Sequence, residues 1–493
     1  MLQLLIFIPL LSGLAVMLGA PARKTSLAAA ALQAVVAIIA LVCFRIDGEP
    51  FQYQSLTAIA PEWGLHFFLA ADGLSLVMLL LTGLVTLAAV WVTPPVEKRP
   101  NLFYACLLFI SAGAAGAFAS QDLIFFYAFH ELALIPTFLL IGIWGSGERY
   151  AAAWKITIYL ALGSFILLIG LIDLYFAIPE GLRTFNMIEL QRLAQEHVIP
   201  AAAQSRPYLI LLIGFGILIS LFPFHTWAPT AYASAPTPAT MLHAGVLKKF
   251  GLYGLIRIAV PLLPEGAQHW ATLLLVLLVG NIIYVGLITI AQKRLDLMLG
   301  YSSVMHMGYI FLGIGALNVL GVSGAALLMF AHGLSIAALF ALTGQIRQRS
   351  ETLEFNQLGG IAKTAPFLGV AFGFAAFASI GLPGFANFAS ETMVFFGAFK
   401  PAFADAALTH NYRIATGFAL WGVVISAVYM LRAYRAAFMG EPGKSVAGWK
   451  DVTVGLRMPV ILLIAALMFA GFFPSAFLDY LKPSIEALVT APR

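Results

Sequence analysis

Long apolar runs recur along almost the whole chain, and they constrain its fold more than any other feature. A helix that crosses a bilayer needs about 20 mostly apolar residues, and about fourteen runs meet this requirement. They cover residues 2–20, 26–44, 73–93, 103–119, 122–145, 154–177, 208–227, 236–261, 271–291, 299–317, 321–345, 366–403, 414–438 and 457–475. In lipid the backbone must satisfy its own hydrogen bonds, which helices do. We therefore predict an all-α integral membrane protein.

The composition agrees with a helical bundle in lipid. Hydrophobic residues make up 61% of the 493 residues and charged residues 10%, whereas a soluble domain carries roughly 25% charged residues. The net charge of +5 is small and is no indication of a nucleic-acid surface. Cys43 and Cys106 both lie in apolar runs, so we expect neither a disulfide framework nor a zinc site.

Two of the predicted spans are interrupted by helix-breaking residues. The seventh is followed by a polar interruption with Pro223 and His225, and the twelfth contains Pro383 and Gly384. Broken helices in inverted repeats are a transporter design, so we predict two inverted five-helix repeats with broken helices seven and twelve. The predicted segments are an N-terminal three-helix segment (1–100), a first five-helix repeat (101–262), helix nine with the second repeat (263–440) and a C-terminal helix (441–493).

Basic residues in the loops predict the orientation. Residues 2–20 have no basic region before them, which favours a retained helix over a cleaved signal. If the N-terminus lies outside, most Lys and Arg residues of the loops fall on the cytoplasmic side. Cytoplasmic loops of membrane proteins are typically enriched in these residues. We therefore expect a multi-pass protein of a bacterial inner membrane with both termini periplasmic and with 179–206 as a partly helical external loop.

Ionisable residues inside the predicted spans are the candidate functional groups. The candidates that we single out among them are Glu131, Lys248, Lys249, His306, His332 and Glu391. A charge at the centre of a membrane helix costs roughly 2.5–3.5 kcal/mol on insertion scales. These groups either pair locally and hold helices together, or form a proton relay, since buried carboxylate, ammonium and imidazole groups exchange protons. Haem ligation by a histidine is a weaker alternative, because no paired-histidine pattern supports it.

Motifs for catalytic chemistry or cofactor binding are missing from the sequence. We find no dinucleotide fingerprint after a strand, no phosphate-binding loop, no Cys-x-x-Cys and no His-Glu-x-x-His. We therefore expect no catalytic residue, metal, nucleotide, flavin or haem in this chain.

Several long segments resemble the antiporter-like membrane subunits of respiratory complex I. These segments are residues 123–137 (LIFFYAFHELALIPT), 223–257 (beginning PFHTWAPTAY), 300–309 (GYSSVMHMGY) and 330–345 (FAHGLSIAALFALTGQ). The first of them, and the end of the chain soon after span fourteen, resemble chain M, the counterpart of mitochondrial subunit 4.

The resemblance implies the function and the roles of individual residues. It implies a proton-translocating membrane-arm subunit of an NADH (or ferredoxin):quinone oxidoreductase, with other membrane subunits as partners and no cofactor in this chain. By the family pattern Glu131 is the glutamate of span five, Lys249 the lysine of span eight, His332 the histidine of span eleven and Glu391 the glutamate of span twelve.

The sequence departs from the family pattern near span seven. Leu218 stands where the family carries a lysine that pairs with the glutamate of span five, and Lys248 is an additional lysine. Glu131 is then neutral, paired with Lys248, or hydrogen-bonded to water or to a neighbouring chain. Alternative functions are a non-pumping scaffold of the same complex, an Mrp-type cation/proton antiporter, or a subunit of a membrane-bound hydrogenase.

Overall fold

The computed structural model describes residues 1–489, and helices make up most of it. The α-helices are α1 (Leu2–Met17), α2 (Ala22–Val42), α3 (Gly73–Val92), α4 (Pro100–Ala119), α5 (Leu123–Trp144), α6 (Arg149–Ala177), α7 (Met187–Gln195), α8 (Ala201–Ile219), α9 (Trp227–Ser234), α10 (Thr237–Leu242), α11 (Lys248–Gly254), α12 (Val260–Leu262), α13 (Pro264–His269), α14 (Ala271–Val279), α15 (Gly286–Ala291), α16 (Leu295–Gly315), α17 (Val319–Ser350), α18 (Ile361–Thr364), α19 (Pro366–Ile380), α20 (Ala386–Phe399), α21 (Ala406–Phe438), α22 (Val454–Phe472) and α23 (Ser475–Val489). Short 3-10 helices cover Pro61–Trp63 and Glu180–Leu182, and π-helical turns cover His243–Leu247, Leu255–Ala259 and Gly280–Val285.

Within residues 1–489, eleven helices are long and apolar enough to cross a membrane. Three further predicted spans correspond to shorter or interrupted helices. Span one is the 16-residue α1, span eight runs through α10, α11 and α12 with two π turns, and span twelve is divided into α19 and α20. The helical membrane class is confirmed, while the count of fourteen, the repeats and the segment boundaries remain predictions.

The bundle centre consists of helices that are buried along nearly their whole length. These are α3, α4, α16 and α17. By contrast, α6 exposes large apolar side chains such as Trp154, Ile158 and Phe165, and α21 exposes Phe418 and Trp421. Apolar residues on an outer face suit lipid or neighbouring membrane helices, because a bilayer does not require a polar exterior.

A β-hairpin, which the sequence analysis missed, precedes α3. Strand β1 (Gln52–Ala60) pairs antiparallel with β2 (Leu65–Ala71). Strand β2 leads directly to Asp72, whose side chain caps α3 by accepting a hydrogen bond from the backbone N–H of Ser75. The hairpin therefore fixes where α3 begins.

The loops and the C-terminal segment also differ in detail from the prediction. The 179–206 segment is partly helical as expected, since it contains α7. One C-terminal helix was predicted, but α22 is followed by α23, which packs against α17 and α3. Helix α23 was missed because it is amphipathic rather than uniformly apolar. Residues 490–493 of the predicted C-terminal segment lie outside the described residues.

Candidate proton-relay site

Lys249 and His332 form the centre of the site. Lys249 Nζ lies 3.1 Å from His332 Nδ1 and donates a hydrogen bond of 2.6 Å to the carbonyl of Ala244. Both side chains are buried, at 0% and 2% exposure. The π turn His243–Leu247 immediately precedes the lysines, and such turns are frequent at functional sites. The span-eight lysine and the span-eleven histidine are therefore in direct contact.

Lys248 points away from Lys249, because adjacent helical residues diverge by about 100°. Its ammonium donates to Ser303 Oγ at 3.3 Å and lies 5.5 Å from the ring centre of Tyr232. Pairing of Lys248 with Glu131 was one of the alternatives left open by the sequence, and the structure contradicts it. Lys248 instead lies beside α16.

His306 continues the site from His332 towards the second broken helix. The two imidazole rings lie 5.6 Å apart. His306 Nδ1 lies 2.8 Å from the carbonyl of Ser302, and its Nε2 lies 2.9 Å from the carbonyl of Ser379. Both neighbours are acceptors, and only the imidazolium form has two N–H donors. Neutral His306 therefore donates to only one of these carbonyls, and a proton that arrives on the other nitrogen would complete the second hydrogen bond.

Glu391 lies on α20, just after the second break. The helix stops at Ile380, and Gly381 and Gly384 adopt φ values of +82° and +96° around Pro383. The Glu391 side chain is buried, and its Oε1 has no hydrogen-bond partner among residues 1–489. Its Oε2 faces Gly381 so closely that a Cβ there would collide with it. The break thus creates the space that the carboxylate occupies.

Glu131 lies at the edge of the bundle rather than at its centre. Its side chain is 36% exposed and its Oε1 lies 3.4 Å from His130 Nδ1. Ser164 Oγ donates a hydrogen bond to the same oxygen. His130 in turn stacks on Phe250, the residue after Lys249, with ring centres 4.1 Å apart. The sequence analysis did not propose His130, although its position beside Glu131 was a visible signal.

The first break is stabilised by a residue that the sequence analysis missed. Helix α8 ends at Ile219, and the chain passes through Pro223 and His225 before α9 begins. The Asn281 amide accepts from the Phe222 N–H at 2.6 Å and donates to the carbonyls of Ser220 and Val304 at 3.2 and 2.9 Å. Backbone groups freed by a broken membrane helix need such partners.

His225 belongs to this break but not to the central cluster. It is buried at 4% exposure and stacks on Phe222, with ring centres 5.7 Å apart. Its Nδ1 has no hydrogen-bond partner in the described part of the chain. Within the same residues, no three His, Cys, Asp or Glu side chains gather as a metal site would require.

Comparison with known proteins identifies the family. The family model described as "NADH:quinone oxidoreductase/Mrp antiporter, TM" matches residues 120–409, which include the central cluster and both breaks. The chain belongs to this family. The resemblance noted in the sequence is thereby confirmed, and with it the assignment to membrane subunits of the quinone oxidoreductase class.

Two curated relatives are similar over almost their whole length. NAD(P)H-quinone oxidoreductase chain 4 of Gloeobacter violaceus is 36% identical, with 100% of this chain and 93% of that protein covered. NADH-quinone oxidoreductase subunit M of Rickettsia conorii is 32% identical, with 98% and 97% covered.

Solved structures agree with this assignment. A chain of respiratory complex I from Thermus thermophilus is 28% identical, with a TM-score of 0.90 and coverage of 100% of this chain and 99% of that one. A chain of the Mrp complex from Dietzia shares the fold, with a TM-score of 0.85, 21% identity, and coverage of 100% and 97%.

Proposed function

We propose that this chain is a proton-translocating membrane-arm subunit of a complex I-like NADH (or ferredoxin):quinone oxidoreductase. The contact between Lys249 and His332 carries this proposal, because it places a proton donor 3.1 Å from an acceptor in the buried centre of the bundle. The partners of the chain are other membrane subunits of that assembly, and redox chemistry takes place in those partners. The chain itself holds no nucleotide, flavin, haem or metal.

The central residues can pass a proton along the membrane plane. Lys249 donates to His332 Nδ1, and the opposite nitrogen, Nε2, has no partner within residues 1–489. An imidazole that gains a proton on one nitrogen can release the proton on its other nitrogen. His332 can therefore pass a proton on and return to its neutral form. His306 lies next along the route, and Glu391 accepts the proton beyond the break. Water molecules carry the proton across the gaps that the side chains do not bridge.

Glu131 stands at the other end of this route. Its exposed carboxylate and its contact with His130 suit a proton that arrives from the bundle surface or from a neighbouring subunit. Lys248 lies beside the route, next to Ser303.

Replacing the relay groups tests this function. Lys249→Met and Glu391→Gln should lower the number of protons moved per electron pair in membrane vesicles by roughly tenfold or more, since each removes an acid–base group. The amount of assembled complex and its quinone reduction rate are the controls, and both should change much less. Full pumping by Lys249→Met would refute the proposal.

A non-pumping scaffold is the second candidate, and Leu218 is the observation that favours it. Leu218 is buried at 4% exposure and packs against α6 at Gly163, so an apolar contact replaces the family's cation near Ser164 and Glu131. A scaffold would assemble with the complex yet tolerate Lys249→Met and Glu391→Gln without loss of pumping.

The proposed location is a bacterial inner membrane with both termini periplasmic. Lysine and arginine bias in the loops supports this orientation. Single cysteines at Glu148, before α6, and at Glu189, in α7, should react with an impermeant thiol reagent from opposite faces. Reaction of both from the same face would exclude the orientation.

A further inference from the structure

Two polar residues follow Lys249 towards the outer end of its helix. Tyr253 and Arg257 are four and eight residues further on, and residues at this spacing share one side of a helix. Both are buried, and the Arg257 guanidinium lies 5.4 Å from the ring centre of Tyr253. The face that carries Lys249 therefore stays polar for two further turns, away from His332 and Glu391.

The Tyr253 hydroxyl connects this face to the start of α3. It lies 2.9 Å from Ser75 Oγ and 3.2 Å from the carbonyl of Phe118. A hydroxyl both donates and accepts, so Tyr253 can take a proton on its oxygen while it passes its own hydrogen to Ser75. The Ser75 backbone N–H in turn donates to Asp72 Oδ1 at 3.0 Å.

Asp72 and Arg257 form a buried ion pair at the end of this chain of groups. Arg257 Nη2 lies 2.6 Å from Asp72 Oδ1, and the side chains are 2% and 3% exposed. Both residues line a cavity of about 540 Å³ that also meets Glu49, Glu189 and Asp479. The polar groups therefore extend from the helix of Lys249 to an outer cavity that is lined by these carboxylates and by Arg192.

The walls of this cavity suit the release of protons. Arg192 hydrogen-bonds Glu189 and holds the pKa of that carboxyl below its usual value. Glu189 is therefore ionised as part of an ion pair, and Glu49 and Asp479 are further carboxylates that line the cavity. In the predicted orientation the cavity, which lies between the residues before α3, α7 and α23, opens to the periplasmic side.

We propose that Tyr253, Ser75 and the Asp72–Arg257 pair form a proton exit from Lys249 to this cavity. The proposal rests on the proton-translocating function proposed above. A proton from Lys249 crosses about one helical turn, roughly 5.4 Å, through water to Tyr253. Tyr253 releases its own hydrogen to Ser75 Oγ, which releases one to a water molecule that carries it to Asp72. Protonation neutralises Asp72 and weakens its ion pair with Arg257. Asp72 then releases the proton into the cavity. One proton enters the chain and one leaves.

Aromatic packing around Tyr253 keeps this exit from leaking. The Phe126 and Phe250 rings stack 4.2 Å apart, and Phe126 lies 6.1 Å from the Tyr253 ring. These rings place apolar surface beside Tyr253, and in this proposal protons pass this point through the Tyr253 hydroxyl.

Two hydroxyl deletions test the exit in the assembled complex. Tyr253→Phe and Ser75→Ala keep the ring packing and the Asp72–Arg257 pair but remove the relay atoms. Each should slow proton release at the outer face by about tenfold, with complex assembly unchanged. The matched controls are Tyr104→Phe and Ser323→Ala, which remove buried hydroxyls that have no hydrogen-bond partner among residues 1–489.

The outcomes separate this proposal from the function on which it rests. If Tyr253→Phe and Ser75→Ala both release protons at the rate of their controls while Lys249→Met stops pumping, the exit is refuted and the translocating function stands. If Lys249→Met also pumps normally, both fail. Loss of pumping in Tyr253→Phe and Ser75→Ala, but not in their controls, supports the exit.

Discussion

Lys249 Nζ on α11 and His332 Nδ1 on α17 lie 3.1 Å apart, with both side chains buried. The two residues are 83 positions apart in the chain, so the tertiary fold alone brings them together. A buried ammonium beside an imidazole makes a poor ion pair but a good donor–acceptor pair. The arrangement therefore favours a role in proton transfer over a role in holding the helices together, and it gives a reason for two ionisable groups inside the membrane.

Asn281 should be critical to the stability of the first break. Asn281→Ala removes three hydrogen bonds and leaves Phe222 N–H and two carbonyls without their partner. We expect a loss of about 2–4 kcal/mol, since buried polar groups are costly to leave unpaired. Thermal unfolding of the purified complex, followed through this subunit, measures the effect.

Asn387 provides the matched control for this experiment. It is equally buried, but neither of its side-chain polar atoms has a partner within residues 1–489. Asn387→Ala should therefore cost less than about 1 kcal/mol. Equal thermal stability of the two variants would contradict the role given to Asn281.

Gly381 should be required for the position of Glu391. Gly381→Ala adds a Cβ that collides with Glu391 Oε2, at a φ of +82° that L side chains rarely adopt. We expect this variant to lower pumping by roughly the factor predicted for Glu391→Gln, because the carboxylate is displaced. Gly417→Ala in α21, which meets nothing within 4 Å, should leave pumping intact. Normal pumping by Gly381→Ala would show that the carboxylate does not need this position.

The sequence made the candidate groups visible, because a charge inside an apolar run is conspicuous. Glu131, Lys249, His332 and Glu391 were all visible as ionisable residues in apolar runs, and both helix breaks followed from proline and glycine. Their mutual distances were not predictable, since they depend on how distant helices pack. The structure alone shows that His306 lies beside both His332 and Ser379, just before the second break, whereas Lys248 contacts Ser303.

Several of the features that the sequence analysis missed are uncharged or lie outside apolar runs, whereas His130 and Arg257 are ionisable and lie within predicted spans. Asn281 is a single amide in an apolar helix, and nothing in its neighbours indicates the break that it stabilises. The β1–β2 hairpin was missed because it falls between the predicted spans, where only membrane helices were sought. Tyr253 was missed because an aromatic residue in an apolar run is typical of an ordinary core position.

Restoring the family's cation should change proton uptake near Glu131. Leu218→Lys places an ammonium on the face of α8 that packs against α6 beside Ser164, where Glu131 can pair with it. We expect assembly to be retained and proton uptake into this half of the route to rise, because an ion pair keeps the carboxylate ionised. Stopped-flow measurement of proton uptake in oriented vesicles checks this.

Leu212→Lys is the comparison for this variant. Leu212 is also buried on α8, but it lies six residues away, about 9 Å along the helix. Its ammonium has no such access to Glu131, so assembly should fall and uptake should not rise. If Leu218→Lys behaves like Leu212→Lys, the pairing with Glu131 is wrong.

The most direct test of the relay is the number of protons pumped per electron pair by His332→Asn. Asparagine can still contact Lys249, but it cannot carry a proton, so the account predicts a fall of roughly tenfold or more with assembly and quinone reduction retained. The control is His243→Asn, which replaces another buried histidine, one that contacts Tyr232 at 3.3 Å; it should pump normally. Normal pumping by His332→Asn would contradict the account.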